Sequence, residues 1–234
     1  MTKQCVIVGA PGVGKSTLFQ RLTSEYNRVG RLPVFRGETP GGRQGGTESA
    51  LIRRALLSEH HRVRALPGGA GGRWCMIDTP GLHDAVQHSG RERAGSAQAL
   101  DLLLKSHSVI HVLDTSRIGR LGIERGMQEV DRALHRLMAC ADWDRLRAER
   151  IGQGRKSWFR DAMAFIRNTA ISTPCSQVPP GYIVAANKMD LPWSRVGLDE
   201  ILQFFKEVPV VPMCARTGDG LGRTLKALGA TGSD

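Results

Sequence analysis

The chain has 234 residues, of which 41% are hydrophobic and 24% charged, an ordinary composition for a soluble globular protein. No apolar run approaches the roughly 20 residues of a membrane-spanning helix, which excludes a transmembrane protein. The net charge of +11 makes RNA, ribosomes or anionic lipid plausible partners, and a solvated basic surface is the equally weighted alternative.

The start of the chain and its cysteines indicate a cytoplasmic protein. Residues 1–4 lead at once into a strand-like run, which leaves no room for a signal peptide. The five cysteines are scattered without a C-x-x-C pair, which fits reduced thiols better than disulfides or a zinc site. We expect Cys5 and Cys75 to be core residues of strands.

The first half of the chain alternates strand and helix patterns. Residues 4–8 predict a strand, followed by a glycine-rich turn and a helix from residue 15. Residues 30–46 are rich in Gly, Pro and Arg and predict a mobile loop. Residues 48–66 are ambiguous between helix and strand, with a strand favoured in the alternating second part, residues 61–66.

The second half continues the alternation and predicts a single α/β domain over residues 1–234. We expect a three-layer P-loop NTPase fold, with a mostly parallel sheet covered by helices on both faces. We expect an unassigned basic insertion at about residues 117–180, in which residues 141–180 form the basic, polar stretch. The predicted strands are residues 74–77, 108–113, 182–186 and 208–213, and the predicted helices are residues 94–105, 124–138, 198–205 and 221–228.

A phosphate-binding motif lies between the first predicted strand and helix. Residues 9–16, GAPGVGKS, match G-x-x-x-x-G-K-[ST] in the required strand-loop-helix context. Backbone N–H groups would converge on phosphate oxygens, Lys15 would bridge the β- and γ-phosphates, and Ser16 would bind Mg²⁺. The predicted nucleotide-binding residues of this loop are Gly9, Ala10, Pro11, Gly12, Val13, Gly14, Lys15, Ser16 and Thr17.

A D-x-x-G motif extends from Asp78 to Gly81, and its position after a predicted strand indicates a functional role. It follows the strand predicted over residues 74–77, so Asp78 lies at the strand end where ligands bind in open α/β sheets. There Asp78 can hold Mg²⁺, through water, and the Gly81 amide can reach the γ-phosphate.

The sequence Asn187-Lys188-Met189-Asp190 identifies the base. The Asp190 carboxylate can accept two hydrogen bonds from guanine, whereas adenine has neither donor. This predicts GTP rather than ATP and speaks against an ATPase or kinase. After the next strand, Cys214, Ala215 and Arg216 lie where the Ala215 amide can bond the guanine oxygen, although Cys214 can equally be a core thiol.

In this order, the motifs resemble those of the P-loop GTPases, and the Asp-Thr-Pro-Gly-Leu form is most similar to the bacterial Era, TrmE and EngA/EngB group. The resemblance spans nearly the whole chain except residues 117–180. It implies GTP, GDP and Mg²⁺ as cofactors and a hydrolysing switch. It also implies a switch threonine that ligates Mg²⁺. Thr47 is favoured over Thr39, because it lies directly before the next predicted element.

Two departures from that group change the expectations. Many members carry an Asn in the phosphate loop that supports potassium-stimulated hydrolysis, and Gly12 stands there in this sequence. We therefore do not expect potassium activation. No RNA-binding domain of the Era kind follows Leu228, so any partner site is expected on the GTPase domain or its insertion.

The position after D-x-x-G decides how water is activated. Ras-like members have a glutamine there, whereas this chain has Leu82, which cannot hydrogen-bond to water. We expect slow intrinsic hydrolysis, with the missing group supplied by a protein activator or a homodimer, or else by His83. Other candidates are Asp84, Glu92 and Arg43. The candidate catalytic residues are Lys15, Thr47, Gly81 and His83. A slow or non-hydrolysing GTP-gated scaffold is the alternative.

The insertion combines basic and aromatic residues. Such a mixture can contact phosphates and stack on bases, which favours an RNA, ribosomal or anionic membrane partner. Interleaved acidic residues leave an ordinary solvated helix equally open. The residues concerned are Trp143, Arg145, Arg147, Arg150, Arg155, Lys156, Trp158, Phe159 and Arg160, diluted by Asp142, Asp144, Glu149 and Asp161.

Overall fold

The computed structural model describes residues 2–29, 62–67, 73–79, 81, 99–139 and 181–228. The strands in these parts are β1 (Thr2–Val8), β2 (Arg62–Pro67), β3 (Arg73–Asp78), β4 (Ser108–Asp114), β5 (Tyr182–Asn187) and β6 (Val210–Pro212). The helices are α1 (Lys15–Val29), α2 (residues 99–105), α3 (Thr115–Leu121), α4 (Ile123–Gly126), α5 (Glu129–Met138), α6 (Ser194–Phe204) and α7 (Leu221–Ala227). None of these helices has both the length and the apolar character needed to span a bilayer.

The strands form a six-stranded sheet in the order β2-β3-β1-β4-β5-β6. Strands β3, β1, β4, β5 and β6 run parallel, and β2 is antiparallel to β3 at one edge. The register pairs Ile7 with Asp78 and Asp114 with Asn187, so the carboxyl ends of the inner strands meet at one edge of the sheet. This confirms the predicted mostly parallel sheet.

Two apolar cores cover the two faces of the sheet. Successive residues of a strand point to opposite faces, and β1 therefore sends Val6 and Val8 into one core and Cys5 and Ile7 into the other. The first core contains buried residues of α2, α3, α5 and α6, and the second contains those of α1 and α7. The structure thus confirms the three layers. The predicted burial of Cys5 and Cys75 in strands is also confirmed.

The helices after β4 differ from the single helix predicted over residues 124–138. The chain instead forms two helices there, α4 and α5, because Met127 between them is extended, and α3 precedes them and ends at Gly122, whose φ is 76°. Helix α3 had no predicted counterpart. Asp114 ends β4 and also caps α3, accepting a hydrogen bond from the Arg117 amide at 3.0 Å.

Part of the predicted insertion belongs to the core. Residues 117–139 form α3 to α5 and bury Ile118, Met127 and Leu134 against the sheet. Residues 140–180, with the basic and aromatic set, lie outside the described residues, as do the loop predicted over residues 30–46 and the ambiguous residues 48–61. Of the helix predicted over residues 94–105, the described residues 99–105 are helical.

Helices α3 and α6 cross closely through two glycines. A Cβ built on Gly119 would lie 2.0 Å from the Trp193 carbonyl oxygen, and one on Gly197 would lie 1.9 Å from the Thr115 oxygen. The Ser116 hydroxyl also donates to the Pro192 carbonyl at 2.7 Å. The crossing joins the segment after β4 to the segment after β5, which carries the base motif.

Candidate functional site

The phosphate loop connects β1 to α1 and depends on glycine at two close approaches. Gly9 has a φ of 142°, and a Cβ there would lie 2.5 Å from the Val112 oxygen. Gly14 has a φ of 99°, and its Cβ would lie 2.4 Å from Asn187 Nδ2. Both positions combine a left-handed backbone with no room for a side chain, so only glycine fits.

The Lys15 side chain folds back over the loop. It is 6% exposed, and its Nζ donates to the Ala10 carbonyl oxygen at 2.7 Å. Burial lowers its pKa to about 8, while the negative charges of Asp78 and Asp131 act in the opposite direction. The amine is therefore a buried cation held next to the loop, as the predicted phosphate contact requires.

The residues predicted to hold magnesium offer oxygen donors at one end of the sheet. Ser16 is exposed at the start of α1, and Asp78 is buried at the end of β3. Hydroxyl and carboxylate oxygens suit Mg²⁺, which keeps several waters and phosphate oxygens in its shell. The donor set fits Mg²⁺.

The D-x-x-G turn lies against the phosphate loop. The Thr79 hydroxyl donates to the Ile7 carbonyl at 2.7 Å, tying the turn to β1. A Cβ on Gly81 would lie 2.9 Å from Pro11 Cγ, so the Gly81 backbone passes directly over the loop. The structure therefore brings Gly81 to the phosphate loop, whereas Thr47 and His83 lie outside the described residues.

Asn187 joins the phosphate loop to the base segment. Its Nδ2 donates to the Val13 carbonyl at 2.8 Å, and its Oδ1 accepts from the Ala215 amide at 2.9 Å. The Ala215 amide, predicted to contact guanine, is thus engaged by Asn187 in this structure. Lys188 has a φ of 68°, and its Nζ donates to Asp114 Oδ2 at 2.6 Å.

The Asp190 carboxylate has two partners from the segment after β6. Its Oδ1 accepts from the Cys214 thiol at 3.0 Å, and its Oδ2 pairs with Arg216 Nη2 at 2.7 Å. The hydrogen bond from the Cys214 thiol is the largest cause that lowers the pKa of Asp190, and the Arg216 charge adds to it. The Cys214 side chain is buried, as expected of a core thiol, and it also contacts Asp190.

One residue of the loop's surroundings was not predicted. Asp131 on α5 accepts a hydrogen bond from the Ala10 amide at 3.0 Å. The sequence signal was available, because residues 131, 134 and 138 share the buried face of an amphipathic helix. A carboxylate on that face needs a buried partner.

Fold and site together define a G domain, a P-loop protein that carries the guanine-specific base motif. The family described as "50S ribosome-binding GTPase" matches residues 4–144, and the chain belongs to it. No curated protein matches the chain in sequence.

Solved structures of G-domain proteins share the fold at low identity. An Era variant from Aquifex aeolicus bound to GDP and AlF4⁻ matches with a TM-score of 0.52, at 16% identity over 97% of this chain and 56% of that one. Era in complex with MgGDPNP and 16S ribosomal RNA matches at 0.50, with 17% identity over 97% and 56%. NFeoB from S. thermophilus matches at 0.50, with 15% identity over 97% and 63%. This chain thus spans between 56% and 63% of those proteins.

Proposed function

We propose that this protein binds GTP and GDP with Mg²⁺ and hydrolyses GTP to GDP and phosphate as a molecular switch. The observation that carries the proposal is the double contact of Asn187. Its side chain bonds to Val13 of the phosphate loop and to Ala215 of the base segment. The phosphate loop and the base segment are therefore held next to each other by one residue. A single nucleotide can then reach Lys15 with its phosphates and Asp190 with its base.

Base recognition follows from the Asp190 carboxylate. Guanine presents two N–H donors to it, and the Cys214 thiol keeps the carboxylate oriented. Arg216 occupies Oδ2 in the structure, so guanine binding must displace or share that guanidinium. Adenine offers no matching donor, so bound ATP would leave the carboxylate without these hydrogen bonds. This loss of binding free energy favours GTP strongly.

Phosphate binding uses the buried amine of Lys15. Its present partner is a neutral carbonyl, and a phosphate oxygen is a stronger acceptor because of its charge. Ser16 and Asp78 would hold Mg²⁺, with Thr47 as the proposed third ligand. When bound, this ion neutralises phosphate charge during transfer. The Gly81 amide, held over the loop, would sense the γ-phosphate.

We propose that hydrolysis depends on a protein activator or a second copy of the chain. Leu82 cannot orient water, and His83 is the second candidate for that task. The alternative is a scaffold that binds GTP and hydrolyses it slowly or not at all. The same absence of a polar group at position 82 motivates this alternative, and single-turnover kinetics separate the two.

The basic surplus supports a ribosomal RNA partner. The net charge is +11, the family description names the 50S ribosome, and one structural neighbour is complexed with 16S ribosomal RNA. RNA contact through phosphates should weaken steeply with salt. Binding to an anionic membrane surface would weaken with salt as well, and it remains the alternative partner; both partners fit the cytoplasmic location that we propose.

Calorimetry with GTP, GDP and ATP in the presence of Mg²⁺ tests the central proposal. We expect micromolar or tighter affinity for both guanine nucleotides and little for ATP. Lys15→Ala should reduce GTP affinity severely, because it removes the main phosphate cation. Comparable affinity for ATP, or unchanged GTP binding by Lys15→Ala, would contradict the assigned site.

A further inference from the structure

A buried polar chain extends from the phosphate loop into the core. Asp131 Oδ1 accepts from the Ala10 amide at 3.0 Å and lies 3.2 Å from His111 Nε2. The other ring nitrogen of His111, Nδ1, lies 3.0 Å from the Tyr182 hydroxyl. The three side chains come from α5, β4 and β5, and all are buried. Most buried polar groups are hydrogen-bonded, and these three side chains satisfy that need through one another.

The roles of the donors follow from the carboxylate. A carboxylate accepts hydrogen bonds and donates none, so His111 Nε2 carries the hydrogen that faces Asp131. In the tautomer with its hydrogen on Nε2, the Nδ1 atom accepts from the Tyr182 hydroxyl. Burial, followed by the charge of Asp131, raises the pKa of Tyr182, which keeps the phenol protonated as this donor. The orientation of Asp131 is therefore fixed from inside the sheet.

At its other end the chain reaches Lys15. The Ala10 N–H donates a hydrogen bond to Asp131, and the Ala10 carbonyl oxygen accepts one from Lys15 Nζ at 2.7 Å. Asp131 thus fixes the residue that orients the phosphate-binding amine. The Asp131 charge also acts on Lys15 directly, in the same sense as Asp78.

We propose that Asp131 is a positioning residue for the phosphate loop, which acts through the Ala10 amide and is itself held by His111 and Tyr182. The proposal rests on the nucleotide-binding function proposed above. It predicts that nucleotide affinity depends on a hydrogen-bond acceptor at position 131, apart from any effect of this position on the stability of the fold.

Four variants test the proposal. Asp131→Ala removes the acceptor, whereas Asp131→Asn keeps one oxygen, which can still accept from the Ala10 amide and from His111 Nε2 as Oδ1 does. Tyr182→Phe removes only the far end of the chain. Leu134→Ala is the matched control, because it opens the same buried face of α5 without a polar contact to the loop. Each protein is titrated with GDP and GTP in Mg²⁺ and unfolded in urea.

We expect Asp131→Ala to bind both nucleotides about tenfold more weakly, which corresponds to about one charge-assisted hydrogen bond. Asp131→Asn should return to within about threefold of the wild type, and Tyr182→Phe should have a smaller effect in the same direction. Leu134→Ala should lose stability and keep its affinity. Affinity losses that merely follow the losses of stability across all four variants would overturn the proposal.

A measurement without nucleotide separates this proposal from the proposed function. In the nucleotide-free protein, the Ala10 amide proton should exchange slowly and resonate downfield because it is bonded to a carboxylate. Asp131→Ala should remove both properties, and Leu134→Ala should keep them. A rapidly exchanging Ala10 amide in the wild type would overturn the positioning role. A protected amide in a wild type that binds no GTP would support the contact and refute the proposed function.

Discussion

The Arg216 guanidinium lies 2.7 Å from Asp190, so the carboxylate expected to bind guanine is already ion-paired within the protein. Arg216 is largely exposed, and the Arg21 side chain donates to its carbonyl oxygen at 2.6 Å. An exposed ion pair of this kind contributes less than about 1 kcal/mol, so guanine can displace it at small cost.

We therefore predict that Arg216→Gln binds GDP as tightly as the wild type or up to about fivefold more tightly, because the competing cation is gone. Arg195→Gln, which removes the same charge from the exposed surface of α6, is the control and should leave affinity unchanged. Calorimetry at several salt concentrations measures both. Clearly weaker binding by Arg216→Gln alone would mean that Arg216 contacts the nucleotide itself.

Asp190→Asn should change which base the protein accepts. The asparagine amide replaces one acceptor oxygen by an N–H donor. Guanine then loses one hydrogen bond, and its exocyclic amine faces another donor, whereas xanthine has an acceptor oxygen at that position. We expect GDP affinity to fall by about a hundredfold or more, with recovery on xanthosine diphosphate. Competition between the two nucleotides measures the switch. Asp199→Asn on α6 is the control, and an unchanged preference in Asp190→Asn would exclude Asp190 as the base acceptor.

The sequence could predict the parts of the site whose geometry is local. Residues 9–16 follow β1, Asp78 and Asn187 end their strands, and parallel strands bring their carboxyl ends to one edge. The contact of Asp131 with Ala10 joins residues 121 positions apart, and no short pattern contains both. The sequence signal for this contact was the polar Asp131 on an otherwise apolar helix face.

Helix α3 was missed for a related reason. Its seven residues are too few to display helical periodicity, and its start depends on Asp114, which also ends a strand. The ion pair of Asp190 with Arg216 was likewise beyond prediction, because it requires the turn after β6 to fold back towards β5. For this ion pair, tertiary placement rather than local propensity decides the structure.

The glycine crossing of α3 and α6 should be sensitive to a single methyl group. A Cβ on Gly119 or Gly197 would meet backbone atoms at 2.0 Å or 1.9 Å, so the helices must separate. We predict that Gly119→Ala and Gly197→Ala each destabilise the fold by about 1–3 kcal/mol or more, as overpacking does.

Gly222→Ala is the matched control for that crossing. Gly222 lies in α7, and its Cβ would meet nothing within 4 Å, so the change should stabilise the fold by about 0.5–1 kcal/mol. Urea unfolding of the three variants measures the difference. Similar stability of Gly119→Ala and Gly222→Ala would show that the two helices are free to move apart.

Hydrolysis should respond to an activator. Leu82 has no hydrogen-bonding group, and we predict slow single-turnover hydrolysis that accelerates with protein concentration or with cell extract. Leu82→Gln, His83→Ala and Arg43→Ala identify the source of the missing group. Fast wild-type hydrolysis that is insensitive to concentration and extract, and that His83→Ala abolishes, would favour a self-contained catalytic switch.

Nucleotide binding should take up a proton at alkaline pH. Burial lowers the pKa of free Lys15 to about 8, and bound phosphate must raise it again because it stabilises the ammonium. The free amine is largely protonated at pH 7 and largely neutral at pH 9. Binding of GDP should therefore take up roughly a tenth of a proton at pH 7 and roughly nine-tenths at pH 9. Affinity should accordingly fall as the pH rises above 8.

Calorimetry in buffers of different ionisation enthalpy counts these protons, and Lys15→Arg is the control because arginine stays charged throughout. Equal proton uptake by the wild type and Lys15→Arg at pH 9 would assign the proton to another group.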